Sequence, residues 1–163
     1  MRSYDLEFLR KAITLASSAV AHGNSPFGAV LVDANGQFLL EAENSVAASR
    51  DSTAHAETNL VRTAYQAYPH EVLAGCTLYA STEPCAMCAA AIFWAGIGRV
   101  VFALSEHEMV AQVGPALAAD FLDLPCREVF ARGGHPVEVL GPLLQEEARQ
   151  AHIGFWEKLT EVK

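Results

Sequence analysis

Four residues have the types and spacing to do chemistry: His55 and Glu57, two residues apart around a single alanine in "STAHAET", and Cys85 and Cys88 in "PCAMC". Two residues apart is the wrong interval for neighbours on one helix face, where partners stand three or four apart. His55 and Glu57 can still meet at a centre lying off a helix N-terminus, where first-turn side chains converge. Cys85 and Cys88, at i and i+3 behind Pro84, share one face at the start of a second helix. One imidazole and two thiolates are donors that zinc prefers. Three protein ligands also leave the fourth tetrahedral position for water, whose pKa the metal lowers to roughly 7. The positive ends of two helix dipoles favour the thiolates. Glu57, beside the metal but not on it, is placed to move a proton. Taken alone, the Cys-x-x-Cys pair fits a redox couple or half of a structural zinc site equally well, and His-x-Glu fits an ordinary helix start.

The elements that must position these residues follow from the patterning. Leu6, Leu9, Ile13, Ala16 and Val20 recur at helical spacing and predict a helix over 4–22, ended by His22-Gly23. "FGAVLVD" (27–33) and "QFLLEAE" (37–43) read as strands around the hairpin signal Asn35-Gly36. A polar loop leads to a helix over 53–68, capped by Asp51, Ser52 or Thr53 and stopped by Pro69. A strand over 76–81, a helix over 84–96 and a strand over 99–104 form a parallel crossover. Residues 105–126 are expected to hold short helical pieces and a mobile loop, followed by a strand over 136–142 and a closing helix over 143–160. The sum is a single α/β domain, 1–163, with helices on both faces of about five strands.

Composition limits the partners. The 163 residues carry a net charge of −8 and a pI near 5.1, and the eleven Lys and Arg are scattered. Binding to a phosphate backbone needs clustered cations, so a nucleic-acid partner is disfavoured. No apolar run reaches the roughly 18 residues of a membrane span, and "MRSYDLEFLRKAI" lacks the apolar region of a signal peptide, so a cytoplasmic protein is expected. On that compartment argument Cys76 and Cys126 are expected to be buried free thiols rather than disulfide partners.

Together, His55-Ala56-Glu57 and Pro84-Cys85-Ala86-Met87-Cys88 make the H-x-E…P-C-x-x-C signature of zinc nucleobase deaminases. From about Leu6 to Leu104 the chain resembles the cytidine/deoxycytidylate deaminase superfamily. The resemblance implies a three-layer α/β/α sandwich with a five-stranded mixed sheet. It also implies Zn2+ held by His55, Cys85 and Cys88, and Glu57 as proton shuttle in replacing a ring amino group by oxygen with release of ammonia. It makes the Ala56 backbone amide a substrate contact and the protein a homodimer.

"DSTAHAE" and "STEPCAMCAAAI" resemble both tRNA adenosine deaminases and bacterial guanine deaminases. "SPFGAVLVD", the Asn-x-Val of "ENSVAASRDSTAHAE" and "AIFWAG" are similar to the guanine branch. That likeness implies Phe27 and Trp94 against the ring and Asn44 hydrogen-bonded to it. "SEHEMVAQVGPALAADFLDLPC" departs from that branch by lacking its "GFDD"-like acidic segment. A guanine-type purine is therefore favoured, with cytosine, another base, a triazine or a nucleoside as alternatives. The tRNA branch ranks below them, because its basic surface and basic C-terminal helix are missing. His152, Phe155 and Trp156 are read as packing residues, although closure by a C-terminal helix fits the resemblance.

Overall fold

The computed structural model describes residues 1–161. Five strands are ordered β2-β1-β3-β4-β5: β1 (Gly28–Val32), β2 (Phe38–Glu43), β3 (Thr77–Thr82), β4 (Arg99–Leu104) and β5 (Glu138–Leu140). β1 runs antiparallel to both β2 and β3, whereas β3, β4 and β5 are mutually parallel. This is the expected mixed sheet. The β1–β2 turn is held by Asp33, whose Oδ1 accepts the amides of Asn35 and Gln37 at 2.8 Å each, with Gly36 at φ +81°.

Strand side chains alternate between two cores. Ala29, Leu31, Leu78, Ala80, Val100 and Phe102 point to one face. That face is covered by α3 (Ala56–Ala67), α4 (His70–Gly75), α5 (Ala86–Ala95) and α8 (Cys126–Ala131). Val30, Val32, Tyr79, Val101 and Ala103 point to the other, under α1 (Asp5–Ala21), α6 (Glu106–Val113), α7 (Pro115–Ala118), α9 (Gln145–Arg149) and α10 (Phe155–Glu161). A short α2 (Val46–Ser49) lies in the loop after β2. Helices on both faces of a five-stranded mixed sheet make the three-layer sandwich. Among the described residues, no helix is long and apolar enough to cross a membrane.

Two expectations need correction. The closing helix is not continuous: α9 passes into a 3-10 turn at Gln150–His152, and Gly154, at φ +76°, separates it from α10. Asp51 does not cap the metal-site helix. Its Oδ1 instead accepts the Thr53 amide at 2.8 Å and the Thr53 hydroxyl at 2.7 Å, closing a turn one step earlier. Gly28 is required by contact: a Cβ there would lie 2.4 Å from the Ala12 carbonyl oxygen, so glycine lets α1 press on β1 beside Phe27.

A buried ion pair ties α1 to the sheet. Asp5 Oδ1 and Oδ2 accept from Arg99 at 2.8 and 2.9 Å, and Tyr79 Oη donates to Asp5 Oδ1 at 2.7 Å. Burial alone would raise the Asp5 carboxyl, but hydrogen bonds from Arg99, Tyr79 and the Arg2 amide outweigh it and hold the group at about 2. Its stabilising contribution is therefore complete above the ordinary carboxylate range and is lost as pH falls through 2. Asp5→Ala leaves Arg99 buried with only Glu138 as partner. It is expected to cost about 3 kcal/mol, the low end for breaking a buried pair, read as a lowered midpoint in denaturant unfolding.

Candidate active site

The first turns of α3 and α5 meet at the ends of β1 and β3. His55 and Cys85 are the N-cap residues of these helices, both in extended backbone conformation, at φ −68°, ψ 156° and φ −63°, ψ 171°. Each helix thus begins on a ligand whose side chain is free to turn away from the helix rather than cap it. Cys88 follows in the first turn of α5, and Glu57 in the first turn of α3.

His55 Nδ1 lies 3.6 Å from Cys85 Sγ and 3.5 Å from Cys88 Sγ, and the three donor atoms lie within 4.8 Å of one another. A tetrahedral zinc centre with ordinary Zn–N and Zn–S bonds requires an N···S separation of about 3.6 Å. The donor set and its spacing fit the ion. Charge agrees. Hydrogen bonding from Cys88 and from His55 holds Cys85 down at about 4 against burial, while the bond to Cys85 and burial push the Cys88 thiol up. Cys85 held as a thiolate puts negative charge where the cation would sit.

Glu57 stands beside this set. Its Oε2 is 3.5 Å from Cys88 Sγ, and it is not one of the three clustered donors. Burial, then the charge of Cys85, pushes its carboxyl up to about 7. A carboxyl so poised can accept and return a proton near neutral pH.

A cavity of about 190 Å³ opens on the triad, lined by His55, Glu57 and Cys85 together with Phe27, Asn44 and Trp156, among others. Asn44 is buried, and its amide donates to the Phe27 carbonyl at 3.0 Å. Its Oδ1 accepts the Val46 amide at 3.1 Å, which leaves the Nδ2 hydrogens as donors. Asn59 fastens the loop behind it, its Nδ2 reaching the Glu43 carbonyl and Ser45 Oγ at 3.0 Å each. Ala56 is fully buried as the first residue of α3, where amides lack helical acceptors.

Trp94 is elsewhere. Its side chain is 81% exposed on the outer face of α5, in a shallow groove with Val61, Tyr65 and Ala91. Helical phase explains this: Ala89, Ile92 and Ala95 of α5 face the core, and Trp94 projects away from it. In its own chain it does not line the cavity.

Trp156 is the converse case. Read from sequence as packing, it lines the cavity, and its Nε1 donates to His152 Nδ1 at 3.3 Å. The indole is donor-only, so His152 carries its proton on Nε2, 3.4 Å from Thr82 Oγ1. Phe27 meets the His152 ring edge-on at 5.4 Å. Two acids also escaped the sequence reading. Glu83 Oε1 accepts the Cys126 amide at 3.1 Å and its Oε2 the Glu106 amide at 3.2 Å, and both Glu83 and Glu106 border the cavity. The only sequence cue was Glu83 adjoining "PC"; Glu106 gave none.

The cytidine and deoxycytidylate deaminase zinc-binding region matches residues 2–104, and the chain belongs to that family. A probable cytosine deaminase of Schizosaccharomyces pombe is 40% identical over 94% of this chain and 93% of its own. A guanine deaminase of Bacillus subtilis is 44% identical over 66% of this chain and 68% of its own. A tRNA-specific adenosine deaminase of Haemophilus influenzae is 35% identical over 98% and 87%. Among solved structures, one from work on A-to-I editing by tRNA:A34 deaminases superposes with a TM-score of 0.69 at 29% identity, covering 90% of this chain and 99% of that one. The domain is a zinc-type deaminase domain, a hydrolase fold for C–N bonds.

His152 provides a test of the C-terminal wall. Burial holds its imidazole down at about 4, so the folded protein keeps it neutral. The unfolded chain binds its proton near 6.5, so stability is complete above that pH and falls as pH drops from 6.5 towards 4. The loss across that window is expected to reach about 3 kcal/mol. His152→Gln should remove this part of the pH dependence, as measured by urea unfolding at pH 7 and pH 4.5.

Proposed function

We propose that this protein hydrolytically deaminates a small free nucleobase, with cytosine ahead of guanine. The observation that carries this reading is the cavity at the triad. Its volume of about 190 Å³ is below the roughly 300–1,000 Å³ of pockets for drug-sized ligands. Among the described residues its lining includes Glu57, Glu83 and Glu106 but no Lys or Arg. A phosphate-bearing substrate would find no cationic Lys or Arg side chain to pair with there, whereas a neutral base presents N–H groups that acids accept. The same lack of cations, with a net charge of −8, weighs against tRNA.

Cytosine leads because the likeness to the probable cytosine deaminase runs almost the full length of both chains, whereas that to the guanine deaminase covers about two thirds. Guanine is the second reading, supported by Asn44 and Phe27, which border the cavity where the guanine-like motifs require them.

Zinc, when bound, supplies the Lewis acidity that makes water a nucleophile near neutral pH. Glu57 takes the proton of the attacking water and delivers it to the departing nitrogen, which leaves as ammonia. Asn44 Nδ2 and the Ala56 amide hold polar edges of the base, and Phe27 and Trp156 supply apolar faces. Trp94 and Tyr65, 81% and 62% exposed on the outer face of α3 and α5, form the surface on which a homodimer would pack.

An ammonia-release screen over cytosine, guanine, adenine, their nucleosides and aminated triazines tests the assignment. Turnover is expected for cytosine and little for any nucleoside. A nucleoside or tRNA turned over faster than every free base would refute the reading. Glu57→Gln is expected to retain about one zinc per chain by metal analysis and to lose at least ~10²-fold in rate. An unchanged rate removes Glu57 from its role.

A further inference from the structure

Glu106 is the first residue of α6, two positions beyond the end of β4 and next to the N-cap Ser105, whose Oγ accepts the Glu108 amide at 3.3 Å. The Glu106 backbone is fixed by its amide's bond to Glu83 Oε2. Its side chain is only 6% exposed, borders the metal-site cavity and hydrogen-bonds to no described residue through its carboxyl. No cationic side chain is among the groups that act on it most strongly, which are Cys85, Glu83, Asp123 and Glu57. A buried acid without a partner is destabilising, and a purely structural acid would be paired as Asp5 is with Arg99. Its carboxyl oxygens are not sealed in the core, so their unused hydrogen-bonding capacity is open to whatever fills a cavity that Glu106 borders, the metal-site cavity among them.

The second polar group facing that space has the opposite character. Because Asn44 Oδ1 is engaged by the Val46 amide, Asn44 presents hydrogens to the cavity and Glu106 presents oxygens. A ligand suited to both carries an acceptor and a donor side by side. Apart from the amino group that leaves, cytosine has one N–H, at N1, directly beside its C2 carbonyl. N1 is also across the ring from C4, the carbon that is attacked.

We propose that Glu106 is a specificity-determining residue: its carboxyl accepts the N1–H of the base while Asn44 Nδ2 donates to the adjoining carbonyl. The proposal rests on the free-base reading above and deepens it. N1 is the nitrogen that bears the sugar in a nucleoside, so this contact admits the free base and refuses its nucleoside. Glu106 and Phe121 also border a second cavity of about 160 Å³, so a truncation to alanine would open one space into the other. Shape-conserving replacements are therefore the informative ones.

The experiment compares kcat/KM for cytosine and 1-methylcytosine in the wild type, Glu106→Gln and Glu106→Leu, each assayed for zinc. The wild type is expected to prefer cytosine by about 10-fold, the cost of leaving one buried polar group without its hydrogen bond. Glu106→Gln should lower that preference several-fold. Glu106→Leu should reduce it to about threefold or less, chiefly through a raised KM for cytosine. An unchanged preference in either zinc-loaded variant overturns the proposal while the free-base reading stands. Zinc-loaded wild type that leaves cytosine untouched overturns the base assignment, and this proposal with it.

Discussion

Two helix beginnings have to be brought within a few ångströms of each other and kept there, and most of this structure serves that requirement. His55 and Cys85 occupy N-cap positions, where Ser, Thr, Asp or Asn would normally bond to the first free amides and contribute about 1 kcal/mol. Neither makes such a bond. Both helices are therefore less stable at the end that matters, and the deficit has to be met by packing. α3 and α5 supply it by burying Leu60, Ala64, Ala89 and Ile92 against the same sheet face as Leu78 and Phe102. A helix end left uncapped by side chains is what allows the ligands to face a metal.

The site divides into a rigid reaction centre and a wall assembled from remote parts of the chain. Triad and proton carrier come from two first turns. The wall comes from Phe27 beside β1, Asn44 after β2, Glu106 on α6 and Trp156 on α10. Glu83 joins the two regions: from the loop that carries Cys85, its two carboxylate oxygens hold the amides that begin α6 and α8. Through this one side chain the position of the ligand loop and the position of the wall are coupled.

The contrast between what the sequence disclosed and what it withheld follows this division. His55, Glu57, Cys85 and Cys88 were legible because helix starts are punctuated locally, by proline, by polar loops and by changes of periodicity. The strands were legible for the same reason. Glu106 and Trp156 were not, because facing a cavity is a relation between distant elements. Trp94 was misplaced because "AMCAAAIFWA" is apolar nearly all round, so no polar stripe marks which side of α5 is outward. Asp51 was misassigned because a residue that favours capping can as readily close the preceding turn.

The break at Gly154 sets α10 apart from α9, and Trp156 lies beyond it, far along the chain from Cys88. All three metal donors are encoded before the chain is much more than half complete, whereas the last aromatic wall of the cavity arrives near its end. The metal donors and this last aromatic face are thus encoded in different stretches of one polypeptide. The part of the wall that Trp156 supplies can therefore change its aromatic face and leave every donor atom where it was.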